Sequence, residues 1–199
     1  RRARARVVYV TPAHHFPLGM SMSLERRLAL LEWARKSGTV VFEDDYDSEY
    51  RFSGRPLPAL QGLDSAGSVI FSGSFSKVLF PGLRLGYVVV PPDLLDTVHS
   101  VLSIAPRHAH VLDQAILADF MAAGHFGRHV RRMREVYAAR LRTLLELADD
   151  RLHGLVEVSR VEAGLQTVGW LAQGPHAQRV GEVPGRENVQ VIPVCRYPG

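Results

Sequence analysis

Apolar positions along this chain fall into two textures, short unbroken runs and helically spaced stripes, and the two alternate. Val7 to Val10 is a β-branched and aromatic run stopped by Thr11-Pro12, which predicts a buried strand. A loop from Ala13 to Met20, carrying Pro17 and Gly19, leads to Ser21 or Ser23 as the cap of a helix reaching about Lys36. Leu24, Leu28, Leu31 and Ala34 or Arg35 trace its apolar stripe, and Gly38 ends it. Thr39 to Phe42 predicts a second strand, with Glu43-Asp44-Asp45 at its C-terminal end. Arg51 to Gly67 is a connection rich in proline and glycine. Val69 to Phe71 reads as a third strand, and Leu85 to Val90, stopped by Pro91-Pro92, as a fourth. A helix starts at Asp93, and helical spacing resumes from about His108 to Ala123. Gly124 breaks it, and a long basic helix runs from about Phe126 to Ala148. After Asp149-Asp150 the texture changes. Val156 to Val158 and Gln166 to Leu171 look like strands of a smaller α/β unit, Gly174 to Asn188 like a polar connector, and Val189 to Ile192 like a last short strand.

Near-continuous apolar strands alternating with helices predict an α/β fold, a mostly parallel sheet with helices on both faces. Residues 1–149 are expected to form part of a large domain with the long helix leading out of it, and residues 150–199 part of a small C-terminal α/β domain. Composition adds little: 46% hydrophobic and 22% charged residues are ordinary for a globular protein. No apolar run reaches the roughly 18 residues of a membrane-spanning helix, and no signal peptide follows the basic start. A single cysteine, Cys195, excludes an internal disulfide, and a cytoplasmic location fits. The net charge of +4 does not by itself indicate nucleic acid. Arginine at position 1 and the lack of a closing element after Arg196 suggest a fragment of a longer chain.

Ser72-Gly73-Ser74-Phe75-Ser76-Lys77, followed by Pro81-Gly82-Leu83-Arg84, sets one lysine among small hydroxyl residues at the end of an apolar strand. That combination suits a cofactor bearing both an aldehyde and a phosphate, namely pyridoxal phosphate. Lys77 would form the Schiff base, and Ser74, Ser76 and Arg84 would hold the phosphate. Asp44 would keep the ring nitrogen protonated, and Tyr46 would reach the phenolic oxygen. Asp44 and Lys77 both fall at C-terminal ends of strands, where open α/β sheets bind ligands.

Each of these residues also has a plainer reading. Lys77 can be a solvated charge, Arg84 a structural ion-pair partner, Asp44 a helix cap and Tyr46 an ordinary half-buried tyrosine. Ser74-Phe75-Ser76-Lys77 also matches the Ser-x-x-Lys of serine β-lactamases, but no Ser-Asp-Asn or Lys-Thr-Gly accompanies it. No Walker A loop is present. His125 and His129 have the i, i+4 spacing of a metal pair without a Glu-x-x-His frame, so a solvated or interface role is expected and no metal. Arg128, Arg131, Arg132, Arg134, Arg140 and Arg142 make the long helix basic, while Val130, Met133, Tyr137 and Leu141 give it a packed stripe. A solvated face, or a contact to an acidic partner surface, is expected of the arginines rather than DNA contact.

Taken together, Thr11-Pro12-Ala13-His14-His15-Phe16-Pro17-Leu18-Gly19, Glu43 to Arg51, Gly73 to Lys77, Pro81 to Tyr87 and Gly124 to Arg134 resemble the aminotransferase-like domain of MocR-type regulators. This is the branch of the GntR superfamily that includes PdxR and GabR. The resemblance covers nearly the whole chain. It implies a fold type I, aspartate-aminotransferase-like domain that follows an N-terminal winged helix-turn-helix, a head-to-tail homodimer, and a bound cofactor or cofactor–effector adduct used as a regulatory signal. The effector would be a small amino acid or a pyridoxal-phosphate-type molecule, and DNA would be met only through the winged helix-turn-helix, which this chain does not carry. Matching motif positions give Lys77, Asp44, Tyr46, Ser74, Ser76 and Arg84 the roles already named. Phe16 stands where aminotransferases place an asparagine, which argues against efficient transamination and leaves a genuine aminotransferase as the alternative. His15 stands where the family has glutamine, and Gln166 where it has Gly-Leu-His. The family's aromatic ring-stacking segment and C-terminal arginine segment are missing, so this piece is expected to bind cofactor weakly alone.

Overall fold

The computed structural model describes residues 5–104, 110–172 and 192–194. Strands β1 (Val7–Val10), β2 (Val40–Asp45), β3 (Val69–Ser74) and β4 (Gly86–Val89) form one sheet in the order β1-β2-β3-β4. The first three are parallel and β4 is antiparallel to β3. Helix α1 (Leu24–Ser37) joins β1 to β2, and a short α2 (Leu60–Leu63) precedes β3. Helices α3 (Leu95–Ile104), α4 (Val111–Ala122) and α5 (His125–Leu152) follow, and β5 (Val156–Val158) pairs antiparallel with β6 (Gly169–Leu171) in a separate ribbon. The architecture is the expected α/β one with a mostly parallel sheet.

Several boundaries follow from local chemistry. Ser23 caps α1 by accepting from the Arg26 amide, and Gly38 ends it in the left-handed conformation. The core packs Leu31 and Ala34 of α1 and Leu60 of α2 onto Val41 and Val69 of the sheet. The opposite sheet face carries Val7, Tyr9 and Val88, all exposed, so β1 is a strand as expected but not a buried one.

The stripe assigned to α1 is shifted. Leu24 and Leu28 are exposed, whereas Arg27, Leu31 and Ala34 face inward. Arg27 is 2% exposed. Its guanidinium donates to the carbonyls of Met22 (3.0 Å), Pro58 (2.9 Å) and Pro12 (2.7 Å). A buried charge is stable only when its donors are satisfied, and three carbonyls from three segments do so here. Glu43, also buried, accepts from the Leu60 and Gln61 amides, each at 2.9 Å, and thereby caps α2 from the middle of the sheet. That explains a helix inside the stretch read as a plain connection. The helix expected from Asp93 opens with a 3-10 turn (Pro92–Leu94) before α3, and the strand expected from Gln166 is confined to Gly169–Leu171. The connector from Gly174 to Asn188 and residues 189–191 of the last expected strand lie outside the described residues, as do His108 and Cys195.

Replacing Arg27 by methionine removes three buried hydrogen bonds, of which only the Pro12 carbonyl keeps another donor, the Met22 amide, and we expect a loss on the order of 3 kcal/mol in urea unfolding. Leu28→Ala, on the exposed face, should cost less than about 1 kcal/mol. Equal losses in the two variants would contradict the assignment of the buried face. Burial raises the Glu43 carboxyl above its ordinary value of 4.5. The folded state therefore holds this proton more tightly than the unfolded chain. The stability it contributes is fully present below 4.5 and is lost as pH rises through the raised value. Unfolding free energies measured against pH should fall more steeply between 4.5 and the raised value in the native chain than in Glu43→Gln, and parallel curves would exclude the shift.

Candidate cofactor site

The strand register gathers the chemistry-bearing residues at one end of the sheet. Asp44 on β2 pairs with Ser72 on β3, so Asp44, Ser72 and Ser74 point to the same face. Ser74 pairs in turn with Gly86, the first residue of β4. Lys77 lies three residues beyond β3, and Arg84 two residues before β4. The loop between them is closed by the Phe75 amide on the Leu85 carbonyl (3.1 Å) and by a 3-10 turn, Pro81–Leu83.

Asp44 is half-buried and accepts a short hydrogen bond from the Tyr9 hydroxyl of β1. Tyr9 stacks on Phe42, with ring centroids 6.0 Å apart. Burial of its hydroxyl and the adjacent Asp44 charge push Tyr9 up to about 12. Sequence reasoning did not single out Tyr9. Its only signal was the strict alternation of β1 and β2, which puts residues 9 and 44 on the same face of neighbouring strands.

Tyr46 is half-buried, and burial, followed by the charges of Asp47 and Asp44, drives its hydroxyl upward from 10.0. That hydroxyl donates to the His14 carbonyl at 2.6 Å. A phenol has one proton, so serving a phenolic oxygen would mean exchanging or sharing this bond. Ser74 Oγ accepts from the Ser76 amide at 3.2 Å, a turn that draws the two hydroxyl-bearing residues together. Arg84 is exposed and adopts φ 53°, among the described residues the only non-glycine with positive φ. Strain of that kind gathers at ligand clamps.

Gly73 is part of β3 rather than of a phosphate-cradling loop. A Cβ there would fall inside the Tyr87 ring, which packs across the strand from β4. Tyr87 in turn contacts Phe71 and Phe75, at centroid distances of 6.0 and 5.5 Å.

The lysine is exposed, but the residue after it is fixed. The Val78 carbonyl accepts from the Tyr50 hydroxyl and from His129 Nε2, both at 2.9 Å. Val78 and Tyr50 are fully buried. Phe126 packs edge-on against Phe75 at 6.0 Å, so the first turns of α5 form the back wall of the lysine loop. The solvated or interface role expected of His129 is therefore corrected: its ring holds the backbone beside Lys77. The basic face of α5 is likewise not purely solvated. Arg134 donates twice to the Glu49 carbonyl, at 3.0 and 2.8 Å, and Val130, Met133, Tyr137 and Leu141 form the packed stripe.

The arrangement offers an amine, a carboxylate held by a phenol, two hydroxyls and a guanidinium at one strand end. This donor set fits a group with an aldehyde, a basic ring nitrogen and a phosphate. Introducing a methyl group at Gly73 should collide with Tyr87, and we expect Gly73→Ala to lose about 2 kcal/mol in denaturant unfolding. In a Tyr87→Ala background the same change should be nearly silent, and an undiminished loss there would refute the packing argument.

Comparison with known proteins gives the family. The family described as aminotransferase class I and II matches residues 1–167. The probable rhizopine catabolism regulatory protein MocR of Rhizobium meliloti is 40% identical over 195 residues, 98% of this chain and 40% of that protein. The HTH-type pyridoxine biosynthesis transcriptional regulator PdxR of Corynebacterium glutamicum is 35% identical over 131 residues, 66% of this chain and 29% of its own length. Among solved structures, LysN, the α-aminoadipate aminotransferase of Thermus thermophilus complexed with N-(5'-phosphopyridoxyl)-L-leucine, superposes with a TM-score of 0.75 at 32% identity. That match covers 82% of this chain and 42% of the LysN chain. The chain thus spans less than half the length of these relatives. By sequence and fold it belongs to the aminotransferase class I and II family, in the form found in MocR-type regulators.

Proposed function

We infer that this chain is the cofactor-binding part of the aminotransferase-like effector domain of a MocR-type transcriptional regulator, with pyridoxal phosphate held covalently by the Lys77 amine. The observation that carries this reading is the convergence of Asp44, Ser74, Lys77 and Arg84 at the ends of β2 and β3 and the start of β4. When bound, the cofactor supplies an aldehyde that condenses with amines and a protonated ring that withdraws electrons. Asp44, held by Tyr9, would keep the proton on the ring nitrogen. Ser74, Ser76 and Arg84 would bind the phosphate, and Tyr46 would share its proton with the phenolic oxygen. His129 and Tyr50 would keep the lysine loop in place through the Val78 carbonyl.

In the regulator, residues 1–149 belong to the large domain and residues 150–199 to the small one, and two copies form a cytoplasmic homodimer. A small amino acid or pyridoxal-phosphate-type effector shifts an equilibrium that a winged helix-turn-helix reads on DNA. Likeness to LysN supports a second reading, a working aminotransferase acting on an amino acid and a 2-oxo acid, whereas Phe16 stands against it.

The chain has only two lysines, Lys36 and Lys77, and Lys36 is exposed and paired with Glu32 at 3.1 Å. Incubation with pyridoxal phosphate, borohydride reduction and peptide mapping should therefore place the label on Lys77 and leave Lys36 clean. Lys77→Ala should abolish both the label and the visible band. Asp44→Asn should weaken binding by about tenfold, the equivalent of one hydrogen bond to a charged group. A label on Lys36 alone, or on neither lysine, sinks the cofactor reading. Amino-group transfer from an amino acid to a 2-oxo acid at enzyme-like rates would decide for the second.

A further inference from the structure

His14 and Asp47 are the most deeply buried ionisable pair of the described residues that the site above leaves unused. Each is 1% exposed, and His14 Nδ1 meets Asp47 Oδ2 at 3.0 Å. The same oxygen accepts from the Leu165 amide at 3.0 Å. Gly164 lies flat against the imidazole, where a Cβ would overlap the ring, and it sits at φ +86°. A Cβ at Gly19 would come within 3.3 Å of His14 Nε2. The ring is thus gripped by three chain segments, the loop after β1, the loop after β2 and the segment before β6. Further bonds bind the last two together: Gly164 amide to Tyr50 carbonyl (2.8 Å), Phe52 amide to Glu162 carbonyl (2.7 Å), and Arg51 to Glu162 (2.9 Å).

Two features connect this joint to the site. Asp47 follows Tyr46 directly, and the His14 carbonyl accepts the Tyr46 proton at 2.6 Å. The residue whose side chain is gripped therefore supplies the acceptor that occupies the tyrosine. We propose that His14 and Asp47 are positioning residues for Tyr46: braced by residues 164 and 165, they set how firmly its proton is kept on the His14 carbonyl and so how much of it the cofactor's phenolic oxygen receives. The proposal rests on the cofactor reading above. It makes the segment from Glu162 to Leu165 a lever on that proton, because displacing the segment loosens Asp47 and His14 together.

Asp47→Leu is the sharpest variant. One oxygen accepts from both the imidazole and the Leu165 amide, and leucine keeps the side-chain volume while removing that acceptor. Without cofactor, the variant should speed hydrogen exchange of the Leu165 amide by roughly tenfold, and it should move the Tyr46 ¹³Cζ resonance, assigned through Tyr46→Phe. With pyridoxal phosphate, freeing the Tyr46 donor stabilises the anionic phenolic oxygen, so the pH midpoint of the visible band should fall. In a Tyr46→Phe background the same substitution should leave that midpoint unchanged, which a merely structural role would not predict. An unmoved Tyr46 resonance overturns the inference, and so does a midpoint shift that survives in the Phe background. A native chain with no visible band defeats the cofactor reading and with it the role toward the phenolic oxygen, while the Tyr46 resonance still decides whether the joint controls the tyrosine.

Discussion

The buried guanidinium of Arg27 is the interaction on which the loops of this fold depend. It sits on the inward face of α1 where periodicity would seat a leucine, and it reaches the carbonyls of Pro12, Met22 and Pro58. These belong to the loop that carries His14, to the entry of α1, and to the connection between β2 and β3. An apolar side chain there would add contact area but would remove all three bonds and leave the Met22 and Pro58 carbonyls without this donor, and together those losses exceed the gain of a few buried methylenes. Glu43 does the complementary work one layer away, accepting the first amides of α2. Burial favours the neutral form of both groups, while each is drawn back toward its charged form by the other.

From this scaffold the site follows by geometry. Parallel strands with helical crossovers bring β2 and β3 to a common end, and alternation along them puts Asp44 and Ser74 on the face opposite α1. The antiparallel return of β4 brings Arg84 back beside the end of β3. What strand geometry cannot do is fix the irregular loop between them. That task falls to α5, whose first turns supply His129 and Phe126, and to Tyr50, which shares the Val78 carbonyl with His129. The exposed lysine therefore stands on a backbone clamped from below.

Much of this was legible in the sequence because it depends on near neighbours. The runs Val7–Val10 and Val156–Val158, a serine cap at Ser21 or Ser23, the Gly38 stop and the break at Gly124 are local signals, and each coincides with an observed boundary, the cap being Ser23. The contacts that were not legible join residues far apart. Tyr9 meets Asp44 across 35 positions, His14 meets Asp47 across 33, and His129 meets the Val78 carbonyl across 51. A polar residue with a distant partner looks in sequence like any solvated one. Arg27 shows the sharper failure. A stripe rule that seeks apolar residues passes over a buried arginine and assigns its face to Leu24 and Leu28.

The difference between a sensor and an enzyme built from the same residues lies in where ligand binding energy goes. An enzyme directs it to the transition state, whereas a sensor spends it on the difference between two conformations. Five contacts tie the loop bearing Tyr46 to one short segment: Asp47 to Leu165, Tyr50 to Gly164, and Arg51, Phe52 and Ser53 each to Glu162. Two of the residues on the loop side, Asp47 and Tyr50, are fully buried, so the segment cannot slide by small degrees without leaving polar groups unpaired. A contact set of that kind favours discrete arrangements over gradual ones, since intermediate positions keep neither set of bonds. A regulator needs such a step between two states. On the proposed reading, that step and the tyrosine offered to the cofactor would meet at a single residue, His14.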